Sequence, residues 1–148
     1  LNAAGRLGQA QLGIELLVCE TKDRAEQLAQ YIHELNNSRD SLERSIYLAA
    51  LKQAQEEFDP DNDPALVLAG RGWHVGVIGI VAGRLADKFH RPVIVISLDA
   101  TNAKPSIGSA RSPCGLPLHA ALQACATHLV SYGGHAAAAG LKIEEARI

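Results

Sequence analysis

At 148 residues, 47% apolar and 20% charged, the chain can bury a core and is too apolar to stay disordered. A formal net charge of −2 excludes a global basic field, so any phosphate binding must be local, through a few arginines and backbone N–H groups. Three widely spaced cysteines with no CxxC pair speak against a disulfide framework or a structural zinc, and no apolar run reaches membrane-spanning length.

Reduced thiols and a start unlike a signal peptide predict a cytoplasmic protein, and the lack of any methionine predicts a piece of a longer one. Residues 1–20 open with small side chains, "LNAAGRLGQAQLG", and continue into apolar "IELLV". Glycine and proline are then absent from Ile14 to Asp59. Within that window Ala25, Leu28, Ile32, Leu35, Leu42, Ile46 and Ala49 recur every three or four residues, with Arg39 interrupting. That spacing predicts one amphipathic helix from Lys22 to Phe58, roughly 55 Å long at about 1.5 Å per residue, with a break expected near "NNSRD". So long a helix reads as a connector between domains, or else as a coiled-coil dimerisation arm. "DPDNDP" (59–64) reads as a linker.

A compact pattern follows. Strands are expected at 65–70 and 92–98, with a helix at 76–89 between them, and a short strand or extended loop at 107–111. A helix is expected over 117–132, with Pro117 near its first turn and Gly133 as its stop. The alanine stretch and "GLKI" return as a last strand. The order predicts a layered α/β domain. Gly76, Gly79 and Gly83 share one face of the helix 76–89, where they let it approach a sheet closely. A dinucleotide fingerprint needs a different glycine spacing, and no acidic residue ends the second strand as a ribose ligand should, Asp99 lying just past it.

Three groups of residues carry candidate chemistry. Ser109 and Arg111 in "GSARS" alternate along an extended segment and so point to one side. A hydroxyl beside a planar guanidinium fork suits a terminal phosphate, and a surface arginine beside a turn serine is the bland alternative. Gly133 and Gly134 can take positive φ and bare their N–H groups as an anion nest, with His135 adding a directed donor. The alternative is a helix cap followed by a core histidine. His74 lies in the loop after the strand 65–70, where α/β sheets place ligand contacts. Trp73 can stack a base or anchor packing, and His119 can face the same ligand or simply pack. The acids are scattered, and no Ser-His-Asp group or activated cysteine is evident. The residues therefore read as binding phosphate without breaking it.

Four stretches in order, "LNAAGRLG" (1–8), "GWHVGVIGIVAGRL" (72–85), "GSARS" with "LHAAL" (108–122) and "GGHAAAAG" (133–140), resemble the RecJ family of single-strand-specific 5′→3′ exonucleases in the DHH phosphoesterase superfamily. The resemblance covers nearly the whole chain. It implies a DHHA1-type layered domain, with a mixed sheet flanked by helices, over 65–148. A connector helix and linker span 21–64, and residues 1–20 are the end of a catalytic DHH domain. It further implies that the complete protein hydrolyses single-stranded DNA in repair and recombination. Manganese or magnesium would be held by the DHH domain, leaving no catalytic or metal-binding residue here. Ser109, Arg111 and the following Ser112 match the 5′-phosphate motif. Gly133, Gly134 and His135 match the nucleotide-gripping motif. His74 belongs with the second stretch, and Asn2 and Arg6 match the motif lining the cleft from the catalytic side. Ala110 and Pro117 depart from the pattern, where glycine and an acid are common, so the loop 112–117 is expected to differ in shape. Implied partners are single-stranded DNA, single-strand-binding protein and a helicase, with a monomer and no membrane. An oligoribonucleotide or cyclic-dinucleotide phosphodiesterase, an alanyl-tRNA-synthetase-like binding module and a dimerisation module remain alternatives.

Overall fold

The computed structural model describes residues 1–59, 61–113 and 115–148. Cys114, in the loop expected to differ in shape, and Pro60 lie outside the described residues. The chain divides into two compact units, Leu1–Ser45 and Ile46–Ile148.

In the first unit, α1 (Asn2–Arg6) and α2 (Ala10–Val18) are joined through Gly8, whose φ of 78° suits a residue without a Cβ. Ala4, Ile32 and Leu35 form its core, with Leu7, Leu12 and Leu16 packed against them. Ile32 and Leu35 belong to α3 (Lys22–Glu57), a continuous helix that contributes to both units. The expected break near "NNSRD" does not occur. The polar side chains there bond within the helix, Ser38 Oγ donating to Glu34 O and Ser41 Oγ to Asn37 O, each at 3.0 Å. Arg39, which interrupts the apolar stripe, lies 2.6 Å from the buried Glu43 carboxylate and 2.7 Å from Asp40. The stripe thus continues through a neutralised pair. Its expected last member Ala49 is corrected, since Ala49 is exposed and the stripe instead runs on through the buried Ala50 and Ala54. From Ile46 onward the buried positions step by four, as a straight helix of about 3.6 residues per turn allows.

The second unit is built on one five-stranded mixed sheet in the order β1-β2-β3-β5-β4. The strands are β1 (Leu66–Arg71), β2 (Val93–Leu98), β3 (Ser106–Arg111), β4 (Leu129–Gly134) and β5 (Ala138–Ile143). Only β1 and β2 are parallel, joined by the crossover helix α4 (Val75–Phe89), and the remaining pairs are antiparallel. Register puts Leu66, Leu68, Val93 and Val95 on the same side as Ser109 and Arg111. The α4 side chains Val77, Ile78, Val81 and Leu85 are buried over β2 and β3. On the other side Ile96, Ala110, Ala139, Leu141 and Ile143 pack with Leu118 and Leu122 of α5 (Leu118–Ala124). The departure at Ala110 is thereby explained, since its methyl group is fully buried in that second core.

The helix expected over 117–132 is corrected. Pro117 is the N-cap, α5 ends at Ala124, a 3₁₀ turn covers Ala126–His128, and Leu129–Gly134 is strand β4. The apolar spacing of Leu122, Ala126 and Leu129 fits a helix, but Val130 and Tyr132 favour a strand, and pairing with β5 decides the outcome. Gly133 therefore stops no helix. It sits inside a strand.

Candidate nucleic-acid interface

The site begins where α4 crosses β3. A Cβ at Gly79 would lie 2.8 Å from Arg111 Nη2 and 2.9 Å from Ser109 Oγ, so a larger residue there would displace these two side-chain ends from where the glycine lets them lie against the helix. Gly83 is less demanding, with Arg111 Cγ at an ordinary 3.9 Å from its added Cβ. Arg111 Nη1 donates to Ser109 Oγ at 3.0 Å and to Ala110 O at 2.7 Å. These bonds fix the plane of the guanidinium. Ser109 accepts from the arginine, and its own hydroxyl hydrogen is available for donation elsewhere.

The loop between β1 and α4 carries Trp73 and His74. The Trp73 indole lies on Gly70, where an added Cβ would fall 2.2 Å from Cε2, and Trp73 O accepts from Ser97 Oγ. Trp73 is thus a packing anchor. His74 is the N-cap of α4, its Nδ1 accepting from Gly76 N–H at 3.1 Å. An accepting Nδ1 assigns the ring proton of the neutral imidazole to Nε2. Asp99, just past β2, accepts from Thr101 Oγ1 and from the N–H groups of Thr101 and Ala103. The Thr101 hydroxyl first, and those N–H groups after it, hold its carboxyl below the ordinary value.

Across the sheet from Ser109, β5 presents Gly140 and β4 presents Gly133, directly opposite one another in register. Gly133 and Gly140 are exposed, so the face beyond Ser109 is bare backbone. The expected anion nest does not form. Gly133 is strand backbone, and only Gly134 has positive φ, at 144°. A Cβ on Gly134 would come within 2.5 Å of Ala138 O and of Ala139 Cα. The second glycine is a steric necessity of the hairpin. His135 N–H donates to Ala138 O at 2.8 Å, closing the β4–β5 turn, and its ring is exposed, which removes the core-histidine reading. The turn carbonyls are occupied too. Ala136 O accepts from Leu118 N–H and Ala137 O from Ser112 N–H, so the hairpin tip is tied both to α5 and to the end of β3.

Ser109, Arg111, Gly133 and Gly134 thus come together on one sheet, with His135 at its hairpin tip. Ser112 is buried at the end of β3. His119 is exposed on α5 with its ring centroid 6.0 Å from that of Tyr132. Asn2 and Arg6 are exposed on α1 in the first unit. Sequence reading missed a shallow cavity of about 350 Å3 beside the glycine row, lined among others by Ile107, Ser131, Gly133, Gly140 and Lys142. The alternation 107, 109, 111 would have found Ile107, but Ser131 and Lys142 need the β4 pairing. Among the described residues no three His, Cys, Asp or Glu side chains gather as a divalent cation requires.

The geometry has clear relatives. Residues 62–148 match the family model of the DHHA1 domain. The single-stranded-DNA-specific exonuclease RecJ of Bacillus subtilis is 38% identical over 144 residues, which are 97% of this chain and 18% of that protein. The RecJ of Escherichia coli is also 38% identical, over 98% of this chain and 26% of its own length. The chain thus spans about a fifth to a quarter of these relatives. The crystal structure of Thermus thermophilus RecJ in complex with Mg2+ superposes with a TM-score of 0.86 at 35% identity, over 98% of this chain and 22% of that one. A second structure of that RecJ, in complex with Mn2+, gives 0.83 at 33% identity, over 98% of this chain and 20% of that one. The chain belongs to the DHHA1 domain family.

Proposed function

We propose that this chain is the strand-gripping part of a RecJ-like exonuclease that removes nucleotides from the 5′ end of single-stranded DNA. Residues 1–20 would be the end of its catalytic domain, 21–64 the connector, and 65–148 the gripping domain. The observation that carries the reading is the row Ser109–Gly140–Gly133, with Arg111 held at one end by α4 and His135 exposed at the hairpin tip. Arg111 supplies a pre-oriented fork to a terminal phosphate, and Ser109 donates its hydroxyl to a phosphate oxygen. The glycine row lets a sugar–phosphate backbone lie on the sheet without meeting a side chain. His135 donates to a phosphate from the far side. Hydrolysis belongs to a divalent-metal site in the catalytic domain, outside these residues. The chain's similarity to proteins named single-stranded-DNA-specific exonucleases supports the substrate class. Single-strand-binding protein and a helicase are the partners proposed for the intact enzyme.

His135 provides the test. His135→Ala in the intact enzyme should lower exonuclease activity about ten- to a hundred-fold, the loss of a charged hydrogen bond of about 1.5–3 kcal/mol. The melting temperature should hold, because the ring is exposed. Unchanged activity in the variant would remove the ring from the grip.

A further inference from the structure

We propose that the open sheet face continues past the glycine row as a second phosphate subsite, with Lys142 as its cation and Ser131 beside it. The proposal rests on the reading of this chain as a strand-gripping module. Register places Ile107, Lys142 and Ser131 opposite one another on β3, β5 and β4, two residues along each strand from Ser109, Gly140 and Gly133. Residues two apart share a face, so both rows look out on the same side, about 6.7 Å apart at about 3.3–3.4 Å per residue. Helix α4 covers that side over β2 and β3, while α5 packs beneath β5 and β4 from the other side. Ser131, Gly133, Gly140 and Lys142 are all exposed.

The charge matches a polyanion. Among the described residues no carboxylate pairs with the Lys142 ammonium. Exposed Glu144, two residues past Lys142 in extended backbone, makes no ion pair with it, and Asp99, which lines a smaller adjoining cavity with Ile107, has its carboxylate engaged by Thr101 and Ala103. Gly108, Gly133 and Gly140 line the cavity that Lys142 closes. A cation and a hydroxyl beside a floor of glycine backbone, with Ile107 as the one large side chain of their row, suit a phosphodiester lying flat, where a base edge would find little to hydrogen-bond. A bulge between Leu129 and Ser131 ends the regular ladder just beyond, turning β4 at the end of the subsite. The ligand is the next phosphodiester of the single strand whose terminal phosphate meets Arg111.

The test uses the intact enzyme and a short 5′-phosphorylated oligothymidylate with a hydrolysis-resistant first linkage. Losing one phosphate contact to a single strand should lower the slope of log Kobs against log salt by about 0.7. Lys142→Ala and Lys142→Gln should each show that drop with unchanged melting temperature, and Lys142→Arg should restore the slope. Neutral methylphosphonates placed at successive linkages should weaken the native enzyme most at one linkage, and Lys142→Ala should flatten that dependence. A slope and linkage profile unchanged by Lys142→Ala overturns the subsite. Arg111→Ala, run alongside, separates the two readings. If it leaves the preference for a 5′ phosphate intact, the underlying assignment of the grip fails. If it abolishes that preference while Lys142→Ala has no effect, only the second subsite fails.

Discussion

A methyl group added at Gly133 and one added at Gly134 meet opposite surroundings. Nothing lies within 4 Å of a Cβ at Gly133, whereas one at Gly134 meets Ala138 O and Ala139 Cα at 2.5 Å with φ at 144°. Gly133→Ala should therefore leave the melting temperature of the intact enzyme nearly unchanged. It should still lower strand affinity, because the methyl group rises from the face on which the strand would lie. Gly134→Ala should instead destabilise the domain by at least about 1–3 kcal/mol through backbone strain and collision. Thermal denaturation alongside binding separates the two, and equal stability losses at both positions would contradict the hairpin geometry. The pair looked equivalent in the sequence, where both glycines read as sources of positive φ. Only the strand pairing divides a surface-clearing glycine from a turn-making one. Ser109 and Arg111 were legible because an extended segment has a period of two. Gly79 was legible as a close approach, but not as the residue that makes room for Arg111.

Among the elements, the buried strands and α4 could be read from their apolar runs, and α3 from its stripe and its lack of glycine and proline. The strand β4 was not legible, since "THLVSY" continues the spacing of the helix before it and becomes a strand only against β5. The polar break expected in α3 failed because Arg39, Glu43 and Asn36 satisfy one another inside the helix, with Arg39 Nη2 donating to Asn36 Oδ1 at 2.9 Å. Glu43 is buried, so Arg39→Ala removes the cation beside a carboxylate with little water around it. The side chains keep 19% and 12% exposure, so the cost should lie between a surface pair and a fully buried one, about 1–2 kcal/mol. Chemical denaturation of the Arg39→Ala chain measures it. A loss below a few tenths of a kcal/mol would mean that the stripe does not depend on this pair.

For the molecule as a whole, the proposed reading separates grip from chemistry. The residues that converge on the second unit's sheet are the proposed donors to phosphate, and no cluster of metal-binding side chains accompanies them among the described residues. The isolated chain should release no nucleotides from a 5′-labelled single strand in manganese. Release that follows the chain through purification would place catalysis inside it. The net charge of −2 gives no sign of the proposed binding role at the level of composition, because on this reading a few positioned donors carry it. The most direct measurement is kcat/KM of the intact enzyme on single strands with a 5′ phosphate and with a 5′ hydroxyl, before and after Arg111→Ala. The native enzyme should prefer the phosphate about ten- to a hundred-fold, from a charged contact of about 1.5–3 kcal/mol, and the variant should treat both ends alike. A variant that folds normally and keeps the full preference would contradict the assignment of Arg111, and with it the grip built around the Ser109 row.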